Sequence, residues 1–374
     1  MANTLKFGNG EWAIKEGSAL AYNDENGNFK PLPFDFSRST SATRVNKQGL
    51  IELVSNNEPR IDFLNDSEGS LKLEPQRTNL ITYSSDFSNA AWSKTGVTVT
   101  ANSTTSPSGD INADTLAFGA IGSEIVQSVS GLTAGQDYTL SIYLKVASGT
   151  TTMSFGNISY ETTSITVTSE WQRFTITQSA VSATRFPKLV CTESVNVYAY
   201  GAQVEQGSYP TSYIPTAGSI GTRVSESCEQ TPPSGIINST EGVLYVEMNA
   251  FDNISRISLS DGSSSNRVSF RIDANSIDFQ YRIGGSYSYR VDVDIDTSNT
   301  NKIAMSFNNG VFVGYLNGVA IGSPISGPSL SQGVLDRLNF NDGDSSDSFE
   351  GNIKDVRVYN TALTDQELQT LTTI

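Results

Sequence analysis

The side chain most often used for proton transfer is missing from this chain. Its 374 residues include no histidine, 39 acidic residues and two cysteines, Cys191 and Cys228. Histidine is the commonest general base, the usual partner of serine and cysteine nucleophiles and the commonest zinc ligand. Any catalysis would therefore depend on carboxylates. The cysteines lack the spacing of a metal site, so we expect two free thiols.

Three carboxylates alternate along one predicted strand, at Asp292, Asp294 and Asp296. Alternate residues of a strand point to the same face, and retaining glycosidases use two carboxyl groups about 5–5.5 Å apart. This pattern indicates a polysaccharide depolymerase as one alternative. Such enzymes use longer Glu side chains at both positions, whereas all three residues here are Asp. We therefore expect a chain that is not an enzyme.

A second acidic group lies in a predicted loop. It comprises Asp342, Asp344 and Asp347, to which Asp261 is added if the fold brings it close. Hard oxygen ligands in a flexible loop suit Ca²⁺, although no Glu stands at the twelfth position that an EF-hand requires. The sequence thus favours an ordinary polar hairpin loop here, and a calcium site at these four aspartates is the alternative.

Polar residues alternate with apolar ones along three predicted strands of the C-terminal part. The polar set favours a solvated sheet surface, and the alternative is a ligand-binding face whose candidate residues are Arg271, Gln280, Arg282 and Arg290. Aromatic rings stack on sugars, but the same alternation puts Tyr281, Tyr287 and Tyr289 on the core face. We therefore expect these three rings to pack inside.

Charge and hydropathy exclude several classes of partner. The formal net charge of −15 opposes binding to nucleic acid or to anionic lipid surfaces. No apolar run approaches the roughly 20 residues that cross a bilayer, and the first residues lack the apolar core of a signal peptide. We expect no nucleic acid partner, no membrane insertion and assembly in a reducing cytoplasm.

The pattern predicts an all-β chain of three parts. Residues 1–78 have closely spaced turn residues and little continuous apolar pattern, which favours a docking or oligomerisation segment that completes its core against another module or subunit. The alternative is a decorated edge of the next domain. Residues 79–222 and 234–374 carry alternating strands typical of two β-sandwiches, and the doubled proline at Pro232 lies in a polar linker between them.

Turn and capping signals refine the last part. Asn309-Gly310 and Asn317-Gly318 each lie between apolar runs and predict type I′ hairpins around a strand from Val311 to Leu316. Thr364 followed by Glu367 forms a capping-box pattern, which predicts a short C-terminal helix.

Three stretches resemble known families. Asp35–Val45 (DFSRSTSATRV), with Gly49–Glu52 (GLIE), Pro59–Asp62 (PRID) and Leu73–Leu80 (LEPQRTNL), resembles a pattern of tailed-phage head-fibre, spike and tail-fibre proteins. The region from Phe87 to Thr216 resembles the jelly rolls of carbohydrate-binding modules. The last part, ending in Phe349–Thr364, is similar to laminin-G and concanavalin-like lectin domains.

The order of these stretches resembles virion proteins of phages that infect Bacteroidota, including crAss-like phages. The resemblance implies a head fibre that projects from the capsid, with a tail fibre or receptor-binding protein as the alternative. It also implies residence in the virion, a homotrimer, a capsid or other virion protein as docking partner, and weak binding to host-surface glycans. No cofactor other than calcium is expected.

Overall fold

The computed structural model describes residues 5–23, 30–64, 66–230, 235–251, 254–273 and 275–374. These residues form strands almost throughout, with one short helix at the end. The doubled proline at Pro232 lies outside the described residues.

In chain order, the elements through the first 230 residues are β1 Leu5–Gly8, β2 Ala13–Lys15, β3 Ser18–Asn23, β4 Lys30–Ser37, β5 Ala42–Val45, β6 Ile51–Val54, β7 Ile61–Asp62, β8 Ser70–Leu73, β9 Arg77–Asn79, β10 Trp92–Thr95, β11 Val97–Thr105, β12 Ile111–Phe118, β13 Glu124–Gln127, β14 Val129–Ser130, β15 Asp137–Val146, β16 Thr150–Gly156, β17 Thr162–Thr168, β18 Gln172–Ser179, β19 Thr184–Arg185, β20 Lys188–Cys191, β21 Val195–Gln206, β22 Gly221–Arg223 and β23 Ser227–Gln230.

The remaining elements are β24 Glu241–Ala250, β25 Ser255–Ser260, β26 Arg267–Asp273, β27 Ser276–Ile283, β28 Ser286–Asp294, β29 Asn301–Asn308, β30 Val311–Leu316, β31 Val319–Ser326, β32 Arg337–Asn339, β33 Gly351–Tyr359 and α1 Asp365–Thr372. The chain is thus all-β, as its alternation predicts. None of the described residues forms a helix long and apolar enough to span a bilayer.

The chain packs into two compact units. The first, here called the terminal unit, comprises 1–41, 54–75 and 225–374; the second, the central unit, comprises 42–53 and 76–224. Most of the stretch 1–78 is therefore part of the same unit as the C-terminal sandwich. This stretch has too few apolar residues to form a core of its own. Its apolar residues instead contribute to the core of that sandwich.

The central unit is a sandwich of two five-stranded antiparallel sheets. Their orders are β10-β13-β20-β16-β17 and β11-β12-β21-β15-β18. Tyr138, Leu140, Ile142 and Leu144 are buried along one face of β15, as the sequence predicts, and pack in a core with Phe87 and Val197. Cys191 is a buried free thiol of this core.

The terminal unit contains a second sandwich. One of its sheets runs β31-β30-β29-β24-β33, and the other runs β28-β27-β26-β25-β32. Both predicted hairpin turns are present: Asn309 and Gly310 have φ of 46° and 87°, and Asn317 and Gly318 have φ of 48° and 83°. Positive φ at both central positions is what a type I′ turn requires.

Strands from the N-terminal stretch connect the two sheets of this sandwich. β1 pairs with β33, β4 pairs with β23, and β23 pairs with β32. Between them, β3 pairs along β4 and meets β1 where Lys6 lies opposite Tyr22. Phe7 of β1 and Phe34 and Phe36 of β4 lie in the same core as Val356. Cys228, a buried free thiol, lies there too.

Residues of the N-terminal stretches that resemble phage fibre proteins form a buried ion network with Glu226. Arg38 Nη1 lies 2.6 Å from Glu226 Oε1, and Arg60 contacts both oxygens of Glu226. Arg60 Nη1 also lies 2.8 Å from Glu74 Oε2. Two cations and two anions with almost no exposed surface thus compensate one another, as buried charges must. Arg38, Arg60 and Glu74 belong to the stretches that resemble phage fibre proteins, but the sequence did not predict that they form an ion network.

The helix at the end of the chain begins at the predicted capping box. The Thr364 side chain accepts from the backbone N–H of Glu367, and the Glu367 side chain accepts from the backbone N–H of Thr364. Leu368 is buried against β24 and β30 residues Tyr245 and Tyr315. Two of the helix's orphan amides are satisfied in this way.

Candidate functional site

The candidate site is the face of β25 to β28 that lies opposite the core. Alternation brings the side chains of these strands to one surface, here called the polar face; its charged and amide members are Arg256, Arg267, Arg271, Asp273, Asp278, Gln280, Arg282, Arg290, Asp292 and Asp294. The loop 341–348 contacts this face, where Ser258 Oγ donates to the carbonyl of Asn341 at 2.8 Å. The four candidate ligand-binding residues therefore lie on one surface.

Gln280 lies at the centre of the polar face and is fully buried. Its Oε1 accepts from Arg256 Nη1 at 2.9 Å and from Arg267 Nη2 at 3.2 Å, while its Nε2 donates to Asp278 Oδ2 at 2.6 Å. This placement corrects the expectation that Gln280 contacts a ligand. Its side chain instead fixes two guanidinium groups and one carboxylate, because the long arginines beside it cover its amide.

The loop 341–348 supplies carboxylates to those two guanidinium groups. Asp342 pairs with Arg267 and, at 3.1 Å, with Arg256, which also pairs with Asp347 at 3.0 Å. Burial raises the pKa of Asp342, and the two guanidinium groups oppose that rise. Burial likewise lowers the pKa of Arg267, against the opposing effect of Asp342. The loop is thus held to the sheet by charge-assisted contacts.

The four aspartates proposed as calcium ligands each have another partner. Asp261 accepts from Ser263 and Asn266, Asp344 accepts from Ser346, and Asp342 and Asp347 face arginine. In the part of the chain that the structure describes, no three His, Cys, Asp or Glu side chains are grouped so that they could hold a metal ion. The arginines occupy the position that a cation would need, so we propose no calcium at this loop.

Arg271 and Arg290 are both paired on the polar face. Arg271 Nη2 lies 3.1 Å from Asp273 Oδ2, and Arg290 Nε lies 2.9 Å from Asp278 Oδ2. The Arg290 side chain is nevertheless 52% exposed, whereas Asp278 is buried beneath it. Arg290 is therefore held in place from below while its outer edge remains available to a ligand.

A β-bulge in β28 moves one tyrosine out of the core. Tyr281 lies opposite Tyr289, but the next residue, Arg282, lies opposite Tyr287, so that β28 has one extra residue at Ser288. Tyr281 and Tyr289 are buried, as predicted, and Tyr287 is 43% exposed. The expectation that Tyr287 packs in the core is wrong, because strict alternation fails at the bulge.

The displaced ring lies close to two arginines. The guanidinium carbons of Arg282 and Arg290 are 5.0 Å and 5.1 Å from the Tyr287 ring centroid. Arg282 is oriented by hydrogen bonds from Nε and Nη2 to the carbonyl of Gly285. An exposed ring flanked by donor groups of fixed orientation can stack on an apolar face and bind hydroxyl or carboxyl oxygens beside it. We call Arg282, Tyr287 and Arg290 the Tyr287 site.

The three alternating aspartates differ from the paired carboxyl groups of a glycosidase. Asp292, Asp294 and Asp296 are exposed at the far end of β28 and beyond it. Asp296 accepts from the backbone and hydroxyl of Ser298, at 2.9 and 2.6 Å, and thereby stabilises a turn. Exposed carboxylates keep their hydration and lack the desolvation that raises the pKa of a catalytic acid.

A separate open groove lies where α1 packs beside β24, β29 and β33. It has a volume of about 740 Å³, and its lining includes Tyr245, Glu247, Lys302, Arg357 and Glu367. Lys302 Nζ approaches Glu247 at 3.9 Å and donates to the carbonyl of Thr373 at 3.0 Å. Its cations and anions are thus largely satisfied within the protein.

Comparison with known proteins agrees with this architecture. Residues 244–369 match the family described as the Concanavalin A-like lectin/glucanases superfamily. Comparison with curated protein sequences finds no significant match.

Solved structures with a similar fold share little sequence with this chain. The CBM40 domain of a Ruminococcus gnavus sialidase, bound to α2,3-sialyllactose, is 18% identical, with a TM-score of 0.32 over 36% of this chain and 83% of that one. Domain 4 of the arabinanase AbnA from Geobacillus stearothermophilus, in complex with arabinotriose, is 19% identical, with a TM-score of 0.32 over 40% and 73%. The tandem CBM22 domains of Paenibacillus barcinonensis Xyn10C are 13% identical, with a TM-score of 0.28 over 76% and 98%.

These likenesses concern fold, and we take no ligand from them. The residues that match the family are also the residues that form the two sheets of the C-terminal sandwich. Residues 244–369 therefore form a concanavalin-like β-sandwich within an all-β protein.

Proposed function

We propose that this chain is a non-enzymatic attachment protein that binds saccharides weakly through the Tyr287 site. The observation that carries the proposal is the exposed Tyr287 ring with Arg282 and Arg290 close beside it. The ring offers a flat apolar surface to the C–H groups of a sugar, and the guanidinium groups beside it donate to sugar oxygens. The match of 244–369 to a lectin and glucanase superfamily supports the same class of ligand.

We further propose that the protein is part of a bacteriophage particle. Support comes from the resemblance of Asp35–Val45 and its following motifs to head-fibre, spike and tail-fibre proteins. In this proposal the chain is a head fibre, with a tail fibre as the second choice, and it attaches to a capsid or other virion protein through 1–78. A homotrimer would repeat each weak site, and repeated sites gain avidity through their effective concentration.

Affinity chromatography tests the saccharide proposal. The full chain is applied to resins carrying mannose, galactose, N-acetylglucosamine or glucuronic acid, and we expect retardation on at least one of them. Tyr287→Ala and Arg290→Ala should remove the retardation. Val319→Ala is the matched control, because Val319 is a 67% exposed residue of the other sheet. Elution of the unaltered chain with the void volume of all four resins contradicts the proposal.

Two further measurements separate binding from the other roles. Incubation of the chain with a polysaccharide built from the sugar that retards it should release no reducing ends, whereas a depolymerase would release them and lose activity as Asp292→Asn. Mass spectrometry of purified virions tests the particle assignment. Absence of the chain from particles whose genome encodes it would exclude the virion role while leaving the binding result intact.

A further inference from the structure

The most strained exposed aromatic residue of the central unit is Tyr160. Its ring is 69% exposed, and its backbone φ is 71°. A bulky residue rarely adopts positive φ. Neither core packing nor a glycine-type turn explains a tyrosine at this position.

A buried arginine supports the tyrosine ring from one side. The guanidinium carbon of Arg185 lies 3.7 Å from the Tyr160 ring centroid, and Arg185 is only 4% exposed. Its Nη2 donates to the carbonyl of Asn157 at 3.0 Å and to Asn157 Oδ1 at 3.1 Å. The arginine is thereby fixed, and it holds one face of the ring while the other face remains open.

The loop that carries Tyr160 is itself fixed to the sandwich. Gln178 Oε1 accepts from the backbone N–H groups of Asn157 and Ile158, at 3.0 and 2.9 Å, and Gln178 Nε2 donates to the carbonyl of Glu161 at 3.0 Å. Ile158 is fully buried in the core. A loop held on both sides presents its ring in one orientation, which lowers the entropic cost of binding.

A second exposed ring, that of Phe186, lies next to Arg185 in the chain. Phe186 follows Arg185 in the chain, is 47% exposed, and its carbonyl accepts from Asn157 Nδ2 at 2.8 Å. Asn157 therefore joins the two loops that carry Tyr160 and Phe186. The nearest chain neighbours of Tyr160 are polar and exposed or half-buried, namely Ser159, Glu161 and Thr162.

We propose that Tyr160 and Phe186, held by Arg185 and Asn157, form a second saccharide-binding site, on the central unit. An open ring face beside hydroxyl and carboxylate groups fits the C–H face and hydroxyl edge of a pyranose. This inference extends the proposed attachment role to the central unit, and its test is independent of the Tyr287 site.

Fluorine NMR of the full chain distinguishes the two sites. The 15 tyrosines are replaced biosynthetically by 3-fluorotyrosine, and the signals of Tyr160 and Tyr287 are assigned by their loss in Tyr160→Phe and Tyr287→Phe. The probes are the methyl glycosides of mannose, galactose, N-acetylglucosamine and glucuronic acid, with sorbitol as a non-cyclic control. We expect at least one glycoside to shift the Tyr160 signal saturably while sorbitol does not.

Variants around the ring sharpen this test. Phe186→Ala and Arg185→Lys should each weaken the titration of the Tyr160 signal at least about tenfold and leave a titration of the Tyr287 signal unchanged. Val181→Ala, at a 44% exposed position of the same unit, should change neither.

The outcomes separate the two proposals. A shift confined to Tyr160 supports this inference even if the Tyr287 site fails, and a shift confined to Tyr287 overturns it. An equal response to sorbitol, or no response of Tyr160 to any glycoside, also overturns it.

Discussion

Arg60 and Glu226 are 166 residues apart in the chain and form a two-point ion pair in the buried interior of the terminal unit. Arg60 Nε lies 2.8 Å from Oε1 of Glu226, and its Nη2 contacts Oε2. The same carboxylate accepts from Arg38 and from the backbone N–H of Glu74. One glutamate thus joins three separate stretches of the unit.

Loss of the Glu226 charge should destabilise the protein strongly. Glu226→Gln keeps the size of the side chain but removes the negative charge that faces both Arg38 and Arg60. Removing one member of a buried ion pair costs about 3–5 kcal/mol, so we expect a loss of that size in the free energy of unfolding by urea. Glu11→Gln, which breaks the exposed pair with Lys6, should cost less than about 1 kcal/mol. Equal effects of the two substitutions would contradict the network.

The bulge at Ser288 predicts opposite consequences for two neighbouring tyrosines. Tyr289→Ala removes a ring that is 2% exposed and should cost about 3–5 kcal/mol of stability. Tyr287→Ala removes an exposed ring and should change stability by no more than about 0.5 kcal/mol. Thermal and urea unfolding measure both. A large loss for Tyr287→Ala would mean that its ring packs inside.

These two tyrosines also mark how far the sequence could predict the site. Alternation locates β26, β27 and most of β28 and identifies Tyr281 and Tyr289 as core residues. It fails at Tyr287, because one extra residue in a strand reverses every side chain beyond it and no turn residue announces the bulge. The burial of Gln280 was also beyond prediction, since it depends on arginines from neighbouring strands.

Gly310→Ala should destabilise the protein for two reasons: the positive φ of the type I′ turn and a close contact of the added Cβ with the backbone. A Cβ at Gly310 would lie 2.2 Å from the carbonyl oxygen of Gly327, and φ is +87°. Gly322 also has positive φ, +70°, but a Cβ there would have no atom within 4 Å. Gly322→Ala should therefore cost about 1–2 kcal/mol, and Gly310→Ala clearly more. Urea unfolding compares them, and equal losses would show that the backbone contact is relieved without cost.

Asp355 predicts a dependence of stability on pH. Burial raises its pKa, against the opposing effect of Arg357, and its Oδ1 accepts no hydrogen bond from any described residue. The folded state therefore binds this proton more tightly than the unfolded state does. Its contribution to stability grows as pH falls from neutrality towards the ordinary pKa near about 4. Urea unfolding at several pH values should show the unaltered protein gaining stability relative to Asp355→Asn on acidification.

Glu367 provides the matched control of opposite sign. Hydrogen bonds from Thr364 lower the pKa of Glu367, so the stability that it contributes is present above its ordinary pKa and lost as pH falls. The unaltered protein should therefore lose stability relative to Glu367→Gln on acidification. The same slope for Asp355→Asn and Glu367→Gln would contradict the assigned cause of both shifts.

Sequence reasoning identified the hairpins, the capping box and both sandwiches, because each depends on residues close together in the chain. It could not determine where the strands of 1–78 pair. β1 lies against β33 and β4 against β23, and such long-range partners leave no periodic signal in either strand. The acidic loop was likewise ambiguous, since the same aspartates suit a metal ion or the guanidinium groups of Arg256 and Arg267.

The pairing of Leu5 with Val358 has a consequence for biosynthesis. A ribosome that adds about 5–20 residues per second releases β1 tens of seconds before β33 exists. During that interval the apolar residues of β1, including Phe7, have no native neighbour on that side, and a nascent chain in this state is open to trapping by chaperones or by other nascent chains. The rate at which the terminal unit matures in the cell should therefore be governed by the arrival of its last strand.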